Sequence, residues 1–154
     1  MPISEPIICL WYDDDAVEAA NFYVSLLPNS KITNTTYYRD HPIKPKGSVL
    51  TVEFELNQRP FLALNGGPFF KHSEAASIQV QCDTQEEIDQ LWDAITNNGG
   101  EESECGWCKD RFGVSWQVTA TQLGEFLGSS DPVKSKKAWE AMMEMTKIVI
   151  ADLS

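Results

Sequence analysis

The sequence predicts an α+β protein in which one β-α-β-β-β module occurs twice and a helical tail follows. Three observations carry this. A strand-like apolar run, an acidic stop and a helical stripe appear in that order at residues 6–27 and again at 77–95. The two occurrences align at an offset of about 70 residues, which sets Asp13 on Asp83 and Phe22 on Trp92. Beyond Ala120 the pattern turns helical only. A chain of 154 residues, 42% of them hydrophobic, is long enough for one well-buried domain and short for two ordinary ones. Residues 1–154 are therefore read as a single domain of two modules, 5–68 and 75–120, with a tail at 121–154.

Each element has a local cause. Residues 6–12 (PIICLWY) read as a strand that Asp13, Asp14 and Asp15 end, with Glu18 three residues past Asp15 in capping-box spacing. Val17, Ala20, Val24 and Leu27 supply a helical stripe before Pro28-Asn29. Three β-rich runs follow, 32–38, 47–56 and 60–65, separated by HPIKPKG and NQR. In the second module SIQVQC is the strand, Asp83-Thr84 the cap with Glu87 in box spacing, and Ile88, Leu91, Trp92 and Ile95 the stripe that Asn98-Gly99-Gly100 closes. Residues 102–107 and 113–119 are the further strands. In the tail, 121–127 is a short helix, and Asp131-Pro132 caps a last one carrying Ala138, Trp139, Met142 and Met145, a stripe suited to an intramolecular or dimer contact.

Charge narrows the partners. With 12 basic against 23 acidic residues the net charge is -11, which does not attract phosphate backbones or anionic lipid, so neither nucleic acid nor membrane is expected. No apolar run reaches bilayer length, and MPISEPIICLWYDDD lacks a basic start and a small-residue cleavage site, so a cytoplasmic location is expected. Cys105 and Cys108 form a CxxC, but KDRFG after it is a charged turn rather than a thiolate-stabilising helix start. His41 and His72 stand in isolated loops, so a four-ligand zinc site lacks its other half, and Cys9, Cys82, Cys105 and Cys108 are expected as reduced structural thiols.

Taken together, FYVSLLPNSKI, KGSVLTVEFEL, RPFLALNGGPFF, SIQVQCDTQEE, GGEESECGWCKDRFGVSWQV and the tail KKAWEAMMEMTKI resemble the PhnB-like branch of the glyoxalase, bleomycin-resistance and extradiol-dioxygenase superfamily, the vicinal oxygen chelate proteins. The resemblance implies βαβββ modules curling into a cupped mixed sheet around a small-molecule cavity, with helices outside, usually as a homodimer. This branch also carries the label 3-demethylubiquinone-9 3-methyltransferase, yet no glycine-rich S-adenosylmethionine site follows the first strand, so methyl transfer is not expected.

Metal-dependent members of that superfamily place four His, Gln or Glu ligands on the concave face, from the first and last strands of each module. Carried over by position, these sites hold Cys9 or Ile7, Asn65, Gln79 and Gln117. Neutral amides bring no charge to offset dehydration of a cation, so no cofactor is expected beyond a weakly held divalent metal. Gln79 and Gln117 either line the cavity or belong to half-solvated strands, and Asn65 either lines it or caps a turn. Trp11 and Trp107 are pocket walls or core, and Glu53 is the candidate general base should its carboxylate face the cavity. The expected ligand-binding set is thus Cys9, Trp11, Asn65, Gln79, Trp107 and Gln117. Two functions follow: a metal-free small-molecule binder, or a metal-dependent lyase, isomerase or dioxygenase of the same superfamily.

Overall fold

The computed structural model describes residues 2–154. The chain divides into two compact units, residues 1–71 and 72–154, the tail lying within the second.

The first unit comprises β1 (Ile8–Tyr12), α1 (Ala16–Leu26), β2 (Lys31–Tyr37), β3 (Val49–Leu56) and β4 (Arg59–Asn65). Its sheet runs β1-β4-β3-β2, with β1 parallel to β4 and the other pairs antiparallel. Asn57 and Gln58 both take positive φ, 46° and 71°, as a two-residue hairpin turn between right-twisted strands requires. One sheet face, carrying Leu10, Val52, Phe54, Phe61 and Ala63, is buried with α1. The buried stripe of α1 is Ala16, Ala19, Ala20 and Tyr23, which shares only Ala20 with the valine and leucine stripe expected. Phe54 and Phe61 stack at 5.5 Å and already fill that volume, so close approach of the helix favours alanine, and Val17 stays 39% exposed. The expected capping box also fails to form. Asp15 sits at φ -95°, ψ 11°, outside the extended region a capping side chain needs, and makes no cap hydrogen bond.

The second unit repeats the order with β5 (Ser77–Cys82), α2 (Gln85–Thr96), β6 (Glu101–Glu102), β7 (Trp107–Lys109) and β8 (Ser115–Ala120). Its sheet, β5-β8-β7-β6, has the same parallel and antiparallel pairs. Here the cap forms: Thr84 is extended and its hydroxyl accepts the Glu87 N–H at 3.2 Å. Ile88, Leu91, Trp92 and Ile95 are buried as their spacing predicts, in the core that also holds Trp116, Val118 and Cys108. The strand expected at 102–107 is instead two short pieces around a turn, because Cys105 (φ 58°) and Gly106 (φ 83°) take left-handed backbone that no strand continues through.

The tail forms α3 (Thr121–Leu127), α4 (Pro132–Met143) and a 3-10 turn at Ile150–Asp152. Asp131 caps α4 by accepting from Val133 N, with Pro132 in the first turn as predicted. After α4 the chain returns to the second unit. Met145 and Thr146 carbonyls accept Cys105 N–H and Gly106 N–H at 2.8 Å each. Gln85 donates to Ile148 O and accepts from Ile150 N, and Lys147 pairs with Asp89 at 2.7 Å. Ile148 and Leu153 are fully buried, each worth about 1.5–3 kcal/mol of apolar burial.

Candidate functional site

Each sheet has a second face that its own helix does not cover, and side-chain alternation decides what lies there. In the first unit, Cys9 pairs with Leu62, Leu62 with Glu53, and Trp11 with Leu64, so these five share the open face. Glu53 is half-buried there, and neighbouring chain partly dehydrates the Cys9 thiol and raises its pKa. Trp11 leans on the NGGP box: its indole N–H donates to Gly67 O at 2.9 Å, and Phe70 meets it edge-on at 4.9 Å. A Cβ on Gly66 would lie 2.3 Å from the Trp11 ring, so glycine is required for that seat.

Asn65 departs from expectation. It stands on the helix-packed face beside Tyr12, 5% exposed, where its Oδ1 accepts Ala16 N–H at 2.9 Å and its Nδ2 donates to Val49 O at 3.1 Å. The amide oxygen thus serves the first turn of α1, where Asp15 makes no cap, while the amide nitrogen ties the residue to β3. By register, the first-unit counterpart of Gln117 is Leu62, since Cys9 pairs with Leu62 as Gln79 pairs with Gln117.

The open face of the second sheet is polar. Gln79, Gln117 and Trp107 form one cross-strand row, and Ser77, Ser115, Lys109 and Glu101 the next. Gln79 Nε2 donates to Gln117 Oε1 at 3.1 Å, and Gln117 Nε2 donates to Ser77 Oγ at 2.9 Å. This amide chain leaves the Gln79 carbonyl at its outer end and the half-buried Trp107 ring beside Gln117. The register brings Gln79, Gln117 and Trp107 together in the second unit and Cys9, Trp11 and Glu53 onto one face in the first, with Asn65 on the opposite face.

Next to the amide row lies a pocket of about 450 Å³ lined by Glu74, Glu101, Glu102, Ser103, Glu104, Cys105, Trp107, Cys108, Lys109 and Ser115. Lys109 is ion-paired with Glu74, which holds the lysine pKa up and the carboxyl down. Glu102 turns to the helix side and accepts the Trp92 indole N–H at 3.0 Å. Of this lining, sequence reasoning singled out Trp107 as a ligand-binding residue but not Glu74, Glu101, Glu104, Lys109 or Ser115, since the segment around CxxC was taken as a strand and weighed for its thiols. All four cysteines are free; burial raises the Cys105 pKa and pushes Cys108 up to about 12, so neither CxxC thiol is activated, and burial likewise pushes Cys82 up to about 11. A further unread residue, Asp110, is 3% exposed and holds the β7–β8 turn, its carboxylate accepting Phe112 N–H, Val114 N–H and the Trp116 indole N–H at 2.9, 3.1 and 2.9 Å. The signal was present as Asp followed three residues later by Gly113, a turn signature.

The fold is that of the glyoxalase and bleomycin-resistance class, as its solved neighbours show. A PhnB protein of Bacillus cereus matches at 29% identity and TM-score 0.69, covering 77% of this chain and 100% of that one. A Pseudomonas aeruginosa protein matches at 20% identity and TM-score 0.62 over 77% of this chain and 98% of its own. The fosfomycin resistance protein FosX of Listeria monocytogenes, solved with Mn(II) and sulfate, matches at 15% and 0.55, over 82% of this chain and 97% of its own. The family model described as 3-demethylubiquinone-9 3-methyltransferase matches residues 4–119, and no curated protein matches. The chain belongs to this PhnB-like family. The match stops short of the tail, to which the sequence resemblance had been extended.

A metal of the kind carried by FosX finds a poor donor set. Taken unit by unit, the paired first- and last-strand positions hold a thiol with raised pKa (Cys9) and a leucine (Leu62) in the first, and two neutral amides bonded to one another (Gln79 and Gln117) in the second. None supplies a carboxylate or imidazole, so the residues do not fit a tight divalent site. Among the described residues, no three His, Cys, Asp or Glu side chains gather as ligands.

Proposed function

We propose that this protein binds a small molecule on the open face of its second sheet, without a tightly held metal. The observation that carries the reading is the Gln79–Gln117–Ser77 amide chain beside Trp107. It offers oriented donors and acceptors next to an aromatic wall, the usual makeup of a site that recognises a polar head on an apolar body. Glu53, Cys9 and Trp11 supply polar and aromatic groups on the open face of the first unit. Cytoplasmic location and a homodimer accord with this reading. Nothing in these residues suits methyl transfer. Among the described residues, no helix is long and apolar enough to cross a membrane.

Elemental analysis of untagged, unchelated protein, paired with melting curves against Zn, Ni, Mn, Fe(II) and Mg, tests the reading. The expected result is substoichiometric metal and no melting shift, with a small-molecule screen then giving hits that Gln117→Ala weakens. Near-stoichiometric metal whose stabilisation Gln117→Ala removes would establish the alternative, a metal-dependent lyase, isomerase or dioxygenase.

A further inference from the structure

The pocket beside the amide row has its own chemistry. On its walls Glu74, Glu101 and Glu104 stand against a single cation, Lys109, which is already paired with Glu74. Glu101 and Glu104 are exposed carboxylates at its rim, so the opening is negative in a chain whose net charge is -11. Acidic groups alone say little, but the floor adds a second observation. Ser115 lines this pocket from the open face and is 1% exposed, and its hydroxyl has no hydrogen-bond partner. A buried hydroxyl left unmatched costs about 1–3 kcal/mol unless something supplies its bond. Lys109 and Ser77, its row neighbours, do not, the one being turned to Glu74 and the other accepting from Gln117.

We propose that this pocket selects an organic cation, an amine on an apolar or aromatic body, with the ammonium between Glu101, Glu104 and the Ser115 hydroxyl and the body against Trp107. The carboxylates do not converge in threes, which disfavours a bare metal ion and suits a charge spread over a larger molecule. Trp107 in the lining offers the apolar or aromatic body a contact surface. The volume of about 450 Å³ lies in the range of drug-sized ligand sites. This deepens the proposed function, since it rests on the second sheet's open face being the binding face.

The test compares 4-phenylbutylamine, 4-phenylbutan-1-ol and 4-phenylbutyrate by calorimetric titration of the full chain. Two partly exposed ion pairs predict that the amine binds about fivefold tighter than the alcohol, the acid weakest, with the margin shrinking in 0.5 M salt, taken as about a 4 Å screening length. The double variant Glu101→Gln, Glu104→Gln should bring amine and alcohol within about twofold. Ser115→Ala should weaken the amine about two- to fivefold while leaving melting unchanged or raised, because it deletes an unsatisfied group. Equal binding of amine and alcohol, weakened by Gln117→Ala, would overturn the charge selection yet leave the face a binding surface. A preference surviving the double variant, or no binding of any probe, would overturn the proposal, and in the latter case the metal and screening experiments still decide the broader reading.

Discussion

Asp110 should be the most sensitive polar residue in the second unit, and its replacement separates two explanations of its burial. Its carboxylate accepts three N–H groups, of which those of Val114 (3% exposed) and the Trp116 indole (0%) lie where water does not reach. Each hydrogen bond to a charged acceptor is worth about 1.5–3 kcal/mol, so Asp110→Ala removes about 3 kcal/mol or more. For a chain of this length each kcal/mol moves Tm by about 2–4 °C, which predicts a fall of roughly 6–12 °C. Asp110→Asn keeps Oδ1 for the two backbone donors but turns an NH2 toward the Trp116 indole N–H. The expected fall is intermediate, about half that of alanine. Differential scanning calorimetry with near-UV circular dichroism of the tryptophans reads both. Because the turn sets the pairing of Trp107 with Gln117 and of Lys109 with Ser115, ligand binding should weaken in the same order. An alanine variant melting within about 2 °C of wild type, or an asparagine variant below alanine, would refute the reasoning.

Two further outcomes follow from geometry already described. Gly106→Ala puts a Cβ 2.7 Å from Val118 O and 2.9 Å from Ile148 Cγ1 at φ 83°, so a loss of about 2–4 kcal/mol is expected, read as a lower denaturant midpoint with unchanged slope. For the thiols, burial raises Cys108 to about 12 and Cys82 to about 11, so at pH 8 a thiol reagent should label neither in the native protein and all four cysteines after denaturation. The sign of the linkage is destabilising at high pH: a folded pKa above the unfolded value near 8.5 gives stability that is full below about pH 8.5 and lost as pH rises toward those folded values. Cys108→Ala should therefore flatten the alkaline fall in Tm, and labelling of Cys108 in the native state at pH 8 would contradict its burial.

The repeat was legible because strand, cap and helix signals recur in order, and the 70-residue alignment places Cys9 and Gln79 at matching points of their sheets. Gln79, Gln117 and Trp107 share a face because period-two alternation is a property of the backbone itself. What was not legible depended on volumes and on left-handed backbone. The alanine stripe of α1 reflects the space left by Phe54 and Phe61, which no local pattern records. For Asn65 the sequence offered lining a cavity or capping a turn, and its bond to the first turn of α1 was not foreseen, because it follows from the conformation of Asp15, far away in sequence. Cys105 took positive φ without being glycine, so the turn in 103–106 carried only half of its usual signal. Ser115 and Lys109 acquired meaning only through their neighbours on β5 and β6.

The recognised sequence of the family ends before the tail whose Ile148 and Leu153 complete the second unit's core. A protein cut after Ala120 would keep the family match whole and yet expose the hollow that Ile148 and Leu153 fill, while stripping Cys105 N–H, Gly106 N–H and the Gln85 amide of their tail partners. The pocket wall at 103–106 is held by carbonyls about 40 positions downstream, so a change in the tail can reshape the pocket without any change to the strands.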